Sequence, residues 1–197
     1  MRIRSAIGHS SCEADKMENQ IVIDATKRWI SSIVVGLNLC PFARRVFDAD
    51  RIRYVVTNVT NTAELKEELS HELKLLTGAP RSTVETTLLI HPGVLRDFFD
   101  YNDFLGTTGE RLQKLGFEGV IQIASFHPDY QFAGTSSDAV ENYTNRSPYP
   151  MLHLLREVSV TEVSANPDDL LRIPERNVET LRAIGIRALQ QRLKDSS

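Results

Sequence analysis

The chain has 197 residues, a net charge of −3, and 41% hydrophobic against 25% charged residues. These values fit one folded domain of ordinary composition. They argue against wholesale disorder and against a broad nucleic-acid surface, which needs a basic excess. No apolar run reaches bilayer-spanning length. Cys12 and Cys40 lie in unrelated contexts and do not suggest a disulfide framework, so a reducing, cytoplasmic location is expected.

Residues 1–16 are polar, patternless and without the apolar core of a signal peptide. A disordered tail is expected there, with a single domain over residues 17–197. Glu18 to Leu37 predicts a helix, with Val22, Ala25, Trp29, Ile33 and Leu37 at helical spacing. Pro41 bars its continuation and can open a short second helix through Arg45. Arg51 to Val59 is rich in β-branched and aromatic residues and predicts a strand. Asn61 and Glu64 resemble a capping box before a helix striped by Leu65, Leu69, Leu73 and Leu76, which Gly78 and Pro80 close.

Thr86 to Ile90 predicts a second strand, ended by His91-Pro92-Gly93. A helix is expected from Val94 to Leu105, interrupted at Gly106 and resumed from Thr108 to Leu115. Gly119 to Ser125 predicts the third strand, ended by Phe126-His127-Pro128. A long polar loop, Asp129 to Ser147, follows; such a loop inside a compact domain is usually functional or mobile. Pro148 to Glu162 reads as a helix. Asn166-Pro167 and Pro174 open further helical segments, continued by Val178, Leu181, Ile184 and Ala188 to Leu193. The expected fold is α/β: a central βαβαβ, mostly parallel sheet flanked by an N-terminal helix and C-terminal helices.

In such a sheet His91 and His127 both lie at the carboxyl edge, where open α/β folds place their ligands. His-Pro turns that merely end strands explain the same residues. His127-Pro128-Asp129-Tyr130 brings an imidazole, a carboxylate and a phenol onto one turn, so His127 is a candidate proton shuttle oriented by Asp129. Arg146 and Ser147 stand before an expected helix N-terminus, a combination that suits an anion; a capped helix with a salt-bridged arginine is the plainer reading. If that segment is helical, His153, Arg156 and Glu157 share the face opposite Met151, Leu154, Leu155 and Val158. They then line a cleft or are simply solvated. Cys40, before Pro41 and close to Arg44 and Arg45, is a candidate nucleophile or metal ligand, or a small buried hydrophobe. No pair among Cys40, His91, His127 and His153 has zinc-finger spacing. The dinucleotide glycine fingerprint, the Walker-type loop and the nucleophile-elbow serine are absent from the sequence.

The blocks Gly36 to Ala43, Ala124 to Tyr130 and Arg146 to Glu157 resemble the domain of unknown function 1415 family of bacteria and plants, over roughly Glu18 to Leu189. The resemblance implies no activity, catalytic residue, cofactor or substrate. It does place Cys40, His127, Arg146, His153 and Glu157 within the family's motifs.

Three functions follow as expectations. The first is an enzyme for a small anionic metabolite, phosphorylated or not, with His127 as general acid/base, Asp129 as its orienting group, Cys40 as nucleophile or ligand, and Arg146, Ser147, Tyr130, His153, Arg156, Glu157 and His91 around the ligand. The second is a metal-binding protein using Cys40 with His127 or His153. The third is a non-catalytic module for a ligand or partner. The cofactor is unknown.

Overall fold

The computed structural model describes residues 7–162 and 171–197. Helix α1 (Ile7–Trp29) runs into a π-helix (Ile30–Val35), followed by α2 (Pro41–Asp48), β1 (Ile52–Val56), α3 (Thr62–Gly78), β2 (Thr86–Ile90), α4 (Phe98–Leu115) and β3 (Ile121–Phe126). A 3₁₀ turn (Val140–Thr144), β4 (Met151–Arg156), α5 (Glu157–Thr161), α6 (Ile173–Ile184) and α7 (Ile186–Ser196) complete the described elements. Helix α1 begins at Ile7, before the domain boundary expected at Met17. Ala14, Lys16, Met17 and Glu18 all favour a helix. Asn166-Pro167 lies outside the described residues.

The sheet order is β1-β2-β4-β3. β1 and β2 pair in parallel, whereas β4 is antiparallel to β2 and to β3. β1, β2 and β3 therefore run the same way, as the βαβαβ reading expects, but the sheet is mixed. The expected helix from Pro148 is instead β4, inserted between β2 and β3. Its physical signature is burial on both faces: five of its six residues are buried and His153 is half-buried. A strand covered on both sides carries continuous apolar residues rather than alternating ones. Met, Leu, Arg and Glu also favour helices, which disguised the segment further.

On one face, Leu89, Leu152 and Leu154 pack with Ile121 against the leucine stripe of α3 and Tyr101 and Phe104 of α4. On the other, Leu88, Ile90 and Met151 pack against Val22, Trp29, Ile30 and Ile33, with Leu181 and Leu189 of α6 and α7. Phe42 and Val46 of α2 close over Leu155. Asn61 caps α3 by accepting the Glu64 N–H at 2.9 Å, as expected. Asp97 caps α4, which continues through Gly106 to Leu115 without the expected interruption.

Tyr101 fastens the inserted strand. Its hydroxyl donates to the Met151 carbonyl at 2.8 Å and accepts the Phe126 N–H at 3.0 Å. One phenol thereby joins the adjacent ends of β4 and β3.

The π-helix ends at Gly36. A Cβ there would lie 2.4 Å from the Ser32 carbonyl oxygen and 2.9 Å from that of Ser31. Both obstacles are backbone, so only glycine fits. Gly36→Ala is expected to destabilise the fold by about 1–3 kcal/mol, read as a lowered urea midpoint at unchanged slope; an unchanged midpoint contradicts this account of the π-helix.

Candidate functional site

The expected site residues separate into distinct groups. His91 and His127 do follow β2 and β3 at one edge of the sheet, and they flank Tyr101, with ring centroids 5.9 and 5.1 Å from it. Both are fully buried. His91 Nδ1 donates to the Val94 carbonyl at 3.0 Å. His127 Nε2 donates to the Leu95 carbonyl at 3.2 Å, while its Nδ1 accepts the Asp129 N–H at 3.0 Å. Both nitrogens of a neutral His127 therefore have backbone partners. Asp129 meets it through its amide, and the Asp129 side chain is exposed. The two rings hold the turn in which Leu95 adopts a left-handed φ of 56°, a conformation that persists only where its surroundings enforce it.

The loop after β3 is internally bonded. Buried Asn142, unremarked in the sequence, accepts from the Phe132 N–H and the Thr135 hydroxyl, each at 3.0 Å, and donates to the Ser136 carbonyl at 2.9 Å. Arg146 donates to the carbonyls of Tyr130 at 3.2 Å and Ser137 at 2.5 Å, and stacks over Tyr143 at 4.7 Å. Tyr130 packs edge-on against Phe98 and Phe132. Ser147 donates to the Tyr149 carbonyl at 2.7 Å. Because a strand follows, the helix N-terminus that was to complete an anion site beside Arg146 does not exist.

Arg156, at the end of β4, donates to the carbonyls of Leu76, Ala79 and Val84 and is buried rather than solvated. Burial lowers its pKa from the ordinary value. Glu157 opens α5 beside a shallow groove with Glu118 and Gln122. The helical face proposed to unite His153, Arg156 and Glu157 is thus dispersed: on a strand, His153 and Arg156 point to opposite sides of the sheet.

Cys40 and His153, by contrast, border the same cavities, with no hydrogen bond between them. Two adjoining cavities lie between the sheet and the layer formed by α1, the π-helix and α2. The inner one, about 60 Å³, is lined by Trp29, Ile30, Val34, Thr86 and Leu88 among others. The outer one, about 200 Å³, is lined by Pro41, Gln122, Leu155, Val160 and Ile173 among others. Cys40, Phe42, Phe126 and His153 border both. No Asp, Glu, Lys or Arg lines either cavity among the described residues.

Cys40 is the N-cap residue of α2, with Pro41 in its first turn. Burial raises the thiol pKa above its ordinary value, against the opposing pull of the Phe42 and Ala43 amides and the Arg176 guanidinium. The resting group is the thiol. His153 sits on β4 between Leu88 of β2 and Ala124 of β3. Its Nε2 lies 2.8 Å from Thr86 Oγ1, and that hydroxyl lies 2.5 Å from the Leu154 carbonyl. A carbonyl cannot donate, so the hydroxyl proton goes to Leu154 and Thr86 accepts from His153. Nε2 therefore carries the imidazole proton. Nδ1 has a free lone pair, with no bonding partner among the described residues. Burial pushes the His153 pKa down to about 4, which keeps the ring neutral.

Thr86, Trp29 and the π-helix were not read as site components. The legible signal was the Thr86-Thr87 pair at a buried strand start, and Trp29 as the chain's single tryptophan. A strand reading of Met151 to Arg156 would have directed His153 to their side. The described residues contain no group of three or more His, Cys, Asp or Glu side chains placed to hold a metal ion. None of their helices is long and apolar enough to cross a membrane.

A family model described as "Protein of unknown function (DUF1415)" matches residues 21–191. The chain belongs to that family. Searches of curated proteins and of solved structures find no match. The DUF1415 match includes every residue that lines the two cavities.

Neutral burial of the histidines makes stability depend on pH. His91 is pushed down by burial to about 4, as is His153, against an ordinary value of 6.5. Between these values the unfolded chain binds more protons, so stability is complete above pH 6.5 and falls as the pH drops towards 4. The loss amounts to at most about 3 kcal/mol per histidine. Burial raises the Glu85 pKa, but Ser159 and Arg81 bring it below its ordinary 4.5, so its contribution is lost only at lower pH. Urea midpoints should therefore decline already between pH 6.5 and 5; a flat profile over that range sinks this reading.

Proposed function

We propose that this protein is an enzyme acting on a small uncharged substrate, with Cys40 as nucleophile and His153 as the base that takes its proton. The observation that carries this reading is the shared placement of Cys40 and His153 at the junction of two cavities, with the imidazole tautomer fixed by Thr86. Nucleophile, base and orienting group are the three parts that covalent catalysis requires. The amides at the start of α2 favour negative charge on sulfur as the proton leaves.

The expected anionic metabolite fits this place poorly. The cavity lining lacks charged side chains, and an ion placed there loses its hydration without a partner. Arg146 is committed to loop carbonyls. His127 has both ring nitrogens bonded, so the acid/base role assigned to it is better supported at His153. A metal held by Cys40 and His153 has only two protein ligands in this arrangement, short of the usual complement.

The test is alkylation of Cys40, followed at peptide level by mass spectrometry. Neutral iodoacetamide should react faster than anionic iodoacetate, although both offer the same carbon. His153→Phe should slow the iodoacetamide reaction at least about ten-fold, as loss of a general base does. Equal rates for the two reagents, or an unaffected rate in a folded His153→Phe protein, would refute the assignment.

A further inference from the structure

β3 is an edge strand: it pairs with β4 on one side and with no described strand on the other. Two bonds at the ends of the ladders fix which way its backbone groups point. The Glu157 N–H donates to the Val120 carbonyl, and the His91 N–H donates to the Pro150 carbonyl. By antiparallel alternation, Gln122, Ala124 and Phe126 turn their N–H and C=O groups towards β4, and Ile121, Ile123 and Ser125 turn theirs outward. Two of the outward groups are already engaged. The Ile121 N–H donates to the Phe117 carbonyl at 3.0 Å, and the Ser125 carbonyl accepts from the Asn145 side-chain amide at 3.0 Å. The Ile121 carbonyl, both backbone groups of Ile123 and the Ser125 N–H have no hydrogen-bond partner among the described residues.

A groove of about 300 Å³ lies between β3 and α4. Leu105 and Leu112 of α4 and Ile121 and Ile123 of β3 supply its apolar wall, and Glu118 and Glu157 also line it. Neither carboxylate belongs to a salt bridge, and no Lys or Arg lines the groove, among the described residues. Natural edge strands are usually shielded by a charged side chain, a proline or a covering element. Ile121–Phe126 contains neither a charged residue nor a proline, and Val120 beside it is 47% exposed.

We propose that this edge docks an extended peptide of a partner protein, added to the sheet as a fifth strand antiparallel to β3. The proposal does not depend on the roles given to Cys40 and His153. A peptide residue opposite Ile123 exchanges two backbone bonds with it. The residue two places before accepts from the Ser125 N–H, and the residue two places after donates to the Ile121 carbonyl. Opposed residues on paired strands point to the same face. The central peptide side chain therefore lies beside Ile123, over the apolar wall of the groove, and is apolar. The side chain two places later lies at the end where Glu118 and Glu157 stand, and is lysine or arginine. The same carboxylates disfavour a second copy of this chain. Two-fold pairing about Ile123 sets Glu118 of one copy opposite Pro128 and beside Asp129 of the other, which brings like charges together.

The probe is the acetylated, amidated peptide Thr-Val-Thr-Leu-Thr-Lys-Thr, titrated into the nitrogen-15-labelled full chain with amide hydrogen exchange read by NMR. At saturation, exchange at Ile123 and Ser125 should slow at least about ten-fold, whereas Ile121, already bonded to Phe117, should change little. N-methylation of the peptide's leucine removes the N–H that the Ile123 carbonyl accepts, and should weaken binding at least about ten-fold. Glutamate in place of the peptide's lysine should weaken binding at least about five-fold, and the double variant Glu118→Lys, Glu157→Lys should reverse that preference. Absence of binding up to the peptide's solubility limit, unchanged exchange at Ile123 and Ser125, or equal affinity for the N-methylated peptide overturns strand addition. Equal affinity for the glutamate peptide overturns the basic partner. Protection of both amides in the free chain, together with a dimer in sedimentation, overturns the peptide in favour of a second copy.

Discussion

A hydroxyl group has one proton, and at Thr86 it points to the Leu154 carbonyl, 2.5 Å away. The oxygen is left able only to accept, so the imidazole of His153 must present its N–H there and its lone pair elsewhere. The chemistry assigned to the cavities depends on that direction. Were the hydroxyl proton turned to His153, Nε2 would hold the lone pair and Nδ1 would be a donor. The thiol proton would then find no acceptor on His153 Nδ1. Burial strengthens the arrangement, because a charged imidazolium has no anionic partner in these walls.

The inserted strand makes this geometry possible. β4 places His153 on the same side of the sheet as Thr86, one diagonal step across the ladder from β2. On the other side, Leu152 and Leu154 anchor the strand in the core beneath α3 and α4. Tyr101 locks its beginning to the end of β3. His91 and His127, which look in the sequence like the active pair, serve the same edge by holding the Val94 and Leu95 carbonyls. Their value is in positioning the turn and the strands around Tyr101.

Much of the frame was legible. The capped leucine stripe of α3, the short apolar β2, the common direction of β1, β2 and β3, and Pro41 opening a helix behind Cys40 all follow from local rules. β4 was not legible, because a strand buried on both faces loses the alternation that identifies strands. Met151-Leu152-His153-Leu154-Leu155 has no β-branched residue to correct the impression of a helix. That single misreading placed His153 on a helical face with Arg156 and Glu157 and gave Arg146 a helix N-terminus it lacks. The role of Thr86 escaped notice for another reason. It lies in bonds made across the sheet, to His153 and the Leu154 carbonyl, which neither spacing nor composition records.

The most direct test of the account is the nitrogen-15 signature of the His153 ring through a pH titration, assigned by its loss in a folded His153→Phe protein. The account predicts a protonated Nε2 and a bare Nδ1 at neutral pH, with the ring staying neutral until the pH approaches about 4. A proton on Nδ1 at neutral pH, or titration near the ordinary 6.5, would contradict it.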